Sequence, residues 1–171
     1  MIKEKRNVLT KPVYHAFTQK WDGLVHQMIS KGFLKSGENC IQIKGLWDTG
    51  ASRTCISPEC VRKLQLIPTG CCTNMTASGP AEARTYLVDV LLPNKVIVQD
   101  VMVTDAQIGS QGFDVLFGMD LISIGDFSIS NYQGKTVLSY RIPSKKMIDF
   151  VLTENLENRA GTHGVGKRKK K

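Results

Sequence analysis

Residues 40–47 (CIQIKGLW) alternate apolar and polar positions with a period of two. That pattern predicts a strand ending at Asp48. Short β-type signals recur along the rest of the chain. Residues 53–56 read as a brief strand. Residues 71–77 and 81–92 read as two arms of a hairpin with Ser78-Gly79-Pro80 at its tip, where glycine supplies the backbone angles of a tight turn. Residues 96–103 (VIVQDVMV) are rich in β-branched side chains. Residues 113–117 (FDVLF) form a buried-type run leading into Gly118-Met119-Asp120, with a short helix expected through Ile124. Residues 126–130 and 135–142 read as two strands joined at Asn131-Tyr132-Gln133-Gly134. Helical signals are fewer. Ser57-Pro58-Glu59 combines a cap, a proline at the first helical position and an acid in the first turn, which predicts a helix near 58–65. Ser144 is the expected cap of a last helix, because Met147, Ile148, Val151, Leu152 and Leu156 fall on one stripe. Residues 24–34 mix periods and fit strand or helix, although Gly32 argues against a long helix. The sum is a mostly β domain with one or two short helices.

The boundaries follow from the same pattern. Residues 1–37 are expected to form an N-terminal arm or edge strand, with Pro12 punctuating its polar start. Residues 38–142 make the main domain, 143–158 a C-terminal helix, and 159–171 a disordered basic tail. A length of 171 residues, 42% of them hydrophobic, suits one globular domain with extensions. No apolar run is long enough for a membrane span. The start, MIKEKRNVLT, lacks the apolar core of a secretory signal, so a cytoplasmic location is the expectation.

Charge changes the picture at one end only. The formal net charge is +8, and five of the basic residues are Lys167, Arg168, Lys169, Lys170 and Lys171. Without them basic residues exceed acidic ones by three. The tail therefore carries most of the excess. Two readings of it stand: a solvated end, or a contact for nucleic acid or another anionic surface. The five cysteines (Cys40, Cys55, Cys60, Cys71, Cys72) include no CxxC pair, and the histidines are scattered. They read as free thiols, mostly apolar filler. Neither a metal site nor a cofactor is expected.

The candidate chemistry is Asp48. Aspartate is common at turns because it bonds nearby backbone N–H groups, and three residues of Asp-Thr-Gly are a cheap match. Here the aspartate ends an apolar strand, which points it toward a half-buried place. Thr49 adds a hydroxyl, and Gly50 and Ala51 allow close backbone approach. A phosphotransferase of the haloacid-dehalogenase type would need a second aspartate where Gly50 stands. A sugar-kinase-like ATPase would need two large lobes that this length does not allow.

The segment WDTGASRTCISPECVRKL resembles the active-site region of the retropepsin-like aspartic proteases. The order of parts is similar too: Asp48-Thr49-Gly50-Ala51, a hairpin around Gly79, then Val115-Leu116-Phe117-Gly118. The resemblance implies a retropepsin-like fold, half of a closed-barrel acid protease, and an aspartic endopeptidase acting on peptides or proteins. It implies that Asp48 is catalytic, with Thr49, Gly50, Ala51 and Gly118 supporting it. Thr76, Ala77, Ser78, Gly79 and Pro80 would form a flap over substrate. The family's mechanism uses two carboxylates, and this chain holds no second Asp-Thr-Gly or Asp-Ser-Gly. The resemblance therefore implies a homodimer with Asp48 of each copy at the two-fold axis and Thr49 bonding across it. The rival reading is a non-catalytic dimerisation or peptide-binding module of the same fold. Trp47 is bulkier than the family's usual aliphatic residue. Asp120 reads as a cap for the helix that follows or as a perturber of the site.

Overall fold

The computed structural model describes residues 13–76 and 79–162. The N-terminal dozen residues, Ala77, Ser78 and the end from 163 onward lie outside the described residues. That includes the expected tail contact at Lys167, Arg168, Lys169, Lys170 and Lys171.

Most strands fall near the β-type signals of the sequence. The strands are β1 (His15–Lys20), β2 (Ile29–Ser36), β3 (Asn39–Trp47), β4 (Cys55–Ile56), β5 (Gly70–Thr76), β6 (Gly79–Leu91), β7 (Ile97–Asp105), β8 (Val115–Phe117), β9 (Asp126–Ser130) and β10 (Val137–Ile142). Helices are α1 (Pro58–Lys63), α2 (Met119–Ile122) and α3 (Phe150–Thr162). In α1 the Ser57 oxygen accepts from Cys60 N–H, and Pro58 and Glu59 occupy the first turn. The ambiguous residues 24–34 resolve as strand. Leu34 on β2 and Ile43 on β3 point inward, while Lys31 and Phe33 point out.

The large sheet runs β2-β3-β8-β4-β7-β6-β5, and a further β2–β6 pairing closes six of these strands into a barrel. β5 lies outside the ring and pairs with β6. A register shift between Val88 and Val90 marks an irregularity in β6. Bulges of this kind bend a strand, and β6 lies in the ring while also carrying β5. The β2–β3 hairpin spans the expected boundary at 37/38, so that boundary is corrected: β2 is part of the barrel. β1 instead joins a three-stranded sheet, β1-β10-β9, as one of its edges.

Trp47 couples the two sheets. It is 3% exposed, and its ring lies 4.9 Å from Phe117, 5.0 Å from Tyr140 and 5.6 Å from Phe127, centroid to centroid. Its Nε1–H donates to Ser30 Oγ at 2.9 Å, and Ser30 Oγ donates to Gln19 Oε1 at 2.8 Å. The Tyr140 hydroxyl donates to the Leu121 carbonyl at 2.5 Å, and burial pushes that phenol well above its ordinary pKa. Space for these rings comes from Gly45. A Cβ there would lie 2.1 Å from Phe117 Cε2. Gly45→Ala is expected to cost about 1–3 kcal/mol, the usual penalty of overpacking, read as a lower urea midpoint. An unchanged midpoint would contradict this packing.

The C-terminal expectation needs correcting. Ser144 does not cap a helix. Its hydroxyl donates to Asp126 Oδ1 at 2.5 Å, Lys145 N–H donates to Asp126 Oδ2 at 2.9 Å, and Arg141 binds the same carboxylate. Together these hold the Asp126 carboxyl well below the usual carboxylate range. An ionised acceptor outcompetes a local capping bond, so Ser144 and Lys145 are tied to Asp126 and no helix starts there. α3 begins one residue after Asp149, whose Oδ1 accepts from Leu152 N–H at 3.0 Å. The helix runs through Thr162, four residues into the stretch expected to be disordered. Its apolar stripe (Val151, Leu152, Leu156) is exposed. No described helix is long and apolar enough to cross a membrane.

Candidate active site

The Asp48 loop leaves the barrel at the end of β3. β3 pairs in parallel with β8, matching Gly45 to Val115 and Trp47 to Phe117. Asp48 N–H continues that ladder by donating to Phe117 O at 3.0 Å. The residue is half-buried. One carboxylate oxygen, Oδ1, accepts from Gly50 N–H at 2.8 Å, and Asp48 O accepts from Ala51 N–H at 3.3 Å. The turn and the carboxylate therefore orient each other. Asp48 Oδ2 has no partner among the described residues. Thr49 is exposed, and its side chain bonds to nothing among them.

Gly118 passes directly beneath the loop's far end. A Cβ at Gly118 would lie 2.5 Å from the carbonyl carbon of Arg53 and 2.9 Å from Thr54 N. Both are backbone atoms, so no side chain fits without moving the loop. Met119 N–H donates to Ala51 O at 2.8 Å, drawing the two segments together at their middle.

The hairpin expected to act as a flap is β5 with β6, in register from Gly70↔Thr85 to Thr76↔Gly79. Gly79 has φ +108°, a conformation that favours glycine. Pro80 pairs opposite Met75. Of the five expected flap residues, Thr76, Gly79 and Pro80 are therefore placed on the hairpin, and Ala77 and Ser78 lie outside the described residues.

Several polar groups that no sequence motif marks meet beside this hairpin. Asn74 Nδ2 donates to Thr104 Oγ1 at 2.9 Å, and Cys72 Sγ donates to Asn74 Oδ1 at 3.6 Å. Thr104 Oγ1 also lies 3.3 Å from Cys55 Sγ. Burial pushes the Cys55 thiol up, and the carboxylates of Asp120 and Asp48 add to the rise. The flap arm, β7 and the strand after the Asp48 loop thus share one network. Its signal in the sequence is slight: Thr104, which follows the apolar Val101-Met102-Val103 of β7. Cysteine as filler holds for buried Cys60, but Cys40 and Cys71 are exposed. Two surface clefts, of about 520 Å³ beside Phe17, Ile29, Lys31 and Lys44 and about 380 Å³ beside Arg53, Met102 and Asp120, are not lined by Asp48.

The chain is similar to known proteins in sequence and in fold. Residues 39–123 match the family model described as "gag-polyprotein putative aspartyl protease". The fold is similar to that of a retropepsin-like aspartic protease from Rickettsia conorii, with a TM-score of 0.53 and 20% identity. That match covers 78% of this chain and 98% of the other. A simian foamy virus (mac) protease matches 54% of this chain and 89% of its own, at 18% identity and a TM-score of 0.40. No curated protein matches the sequence. The family-model match over residues 39–123 and the retropepsin-like fold together support the retropepsin-like family of aspartic proteases.

Proposed function

We propose that the chain is an aspartic endopeptidase that works as a homodimer, with Asp48 of each copy forming one site. The observation that carries this is the Asp48 carboxylate itself. A short turn orients it through one oxygen, the other oxygen has no partner among the described residues, and the next residue, Thr49, is exposed. A two-fold axis at this loop brings two such carboxylates together.

Two carboxylates held that close do not both ionise at moderate pH. One keeps its proton and the other acts as base. The base takes a proton from a water between them, and the water oxygen attacks the peptide carbonyl. The protonated partner hydrogen-bonds the developing oxyanion. The tetrahedral intermediate then loses its C–N bond as the amine leaves with a proton. An extended peptide lies between the loop and the β5–β6 hairpin, which closes over it and excludes water.

Two outcomes follow. Peptide hydrolysis should show a bell-shaped pH profile on the acidic side whose limbs belong to the carboxylate pair. Specific activity should fall on dilution, in step with the dimer fraction measured by sedimentation. A dimer that cleaves no member of a diverse peptide library would favour the non-catalytic module. Efficient cleavage by a monomer would contradict the shared site.

A further inference from the structure

We propose that Asp120 is a positioning residue for Asp48, latching the far end of the catalytic loop to the segment that leads into α2; this rests on the catalytic reading of Asp48 above. The loop from Asp48 to Thr54 is tied to that segment at three levels. The first two ties, Asp48 to Phe117 and Met119 to Ala51, are backbone bonds. The third depends on side chains. Thr54 N–H donates to Asp120 Oδ2 at 2.9 Å, and Thr54 Oγ1 donates to Asp120 Oδ1 at 2.7 Å. Thr54 Oγ1 in turn accepts from Gly118 N–H at 3.2 Å.

Both donors of one residue end on one carboxylate, which fixes the backbone and the side chain of Thr54 together. Thr54 is fully buried, and its carbonyl accepts from Thr104 N–H at 3.2 Å. A buried hydroxyl and N–H left without acceptors are costly, and bonds to an ionised acceptor are the strong kind. Asp120 does more here than serve its own helix, although Oδ1 also accepts from Leu121 N–H at 2.9 Å. An amide in its place offers one acceptor oxygen where two are used.

Catalysis by a paired carboxylate depends on geometry, and misplacement by about 1 Å costs about 10²-fold. Asp120→Asn and Thr54→Val are each expected to lower kcat about 10–100-fold with KM changed less than about 3-fold. Thr54→Ser keeps both donors and should stay within about 2-fold of the parent. The double variant should lose little more than the worse single, since the pair acts as a unit. Amide exchange at residues 50–54 should quicken in Asp120→Asn while β6 and β7 keep their protection.

Parent-like kcat in folded Asp120→Asn, multiplicative losses in the double variant, or equal losses in Thr54→Ser and Thr54→Val would overturn the latch. Should Asp120→Asn fail to fold, the two threonine variants decide. Should the parent cleave no peptide, the catalytic reading fails by itself, and exchange at residues 50–54 still decides: quickening supports the latch and parent-like exchange refutes it.

Discussion

Asp48→Asn leaves a folded protein whose peptide hydrolysis falls by about 10²–10⁴-fold or more, the range that proton transfer by a positioned side chain contributes. Asparagine has nearly the same shape, and its Oδ1 still accepts from Gly50 N–H, so the turn is kept. What it lacks is a proton site near the working pH. In a symmetric dimer the substitution removes both members of the pair at once, so no residual base remains beside the water. The measurement is the hydrolysis rate of parent and variant on the same peptides, with circular dichroism and sedimentation confirming fold and assembly. A variant that cleaves as fast as the parent removes Asp48 from the mechanism.

Trp47→Ala costs about 3–5 kcal/mol, the range for truncating a buried large aromatic. The reason is its position between the barrel and the small sheet. Its ring touches Phe117 on β8, Tyr140 on β10 and Phe127 on β9, so truncation opens a cavity where the two sheets meet. It also removes the N–H that donates to buried Ser30. Set against a typical total stability of about 5–15 kcal/mol, such a loss brings the domain near unfolding at ambient temperature. Trp47→Phe keeps much of the packing and loses the hydrogen bond, so it should cost less. Urea midpoints of the two variants check both the size and the order. Equal, small shifts would mean that Trp47 is not the joint between the sheets. Because Asp48 follows directly, activity in Trp47→Ala should fail at lower urea than global unfolding does.

Local signals proved readable and distant ones did not. Period-two alternation located β3, whose faces differ in burial, while β-branched content marked β7 and an apolar run marked the buried β8. The Ser57-Pro58-Glu59 start of α1 was legible because all its bonds lie within one turn. The turn at Asp48 and the tight passage at Gly118 were visible as small residues after apolar runs. Trp47 looked like a departure from the family because its bulk is offset by Gly45, which pairs with Val115 on the neighbouring strand and leaves room for the Phe117 ring that Trp47 packs on. Asp120 looked like a cap because its true partner, Thr54, is 66 residues earlier. Ser144 failed as a cap for the same reason: the stronger acceptor, Asp126, lies 18 residues back. In each case a charged or bulky side chain was satisfied by a residue that only the folded chain brings near.

The shared site is tested most directly by mixing parent chains with Asp48→Asn chains under conditions of free exchange. If each site needs Asp48 from both copies, a mixed dimer is inactive, and activity follows the square of the parent fraction. An equal mixture then keeps about one quarter of the activity of the same total amount of parent. Activity that instead falls in simple proportion, to about one half, would mean that each chain carries a complete site and would contradict the account.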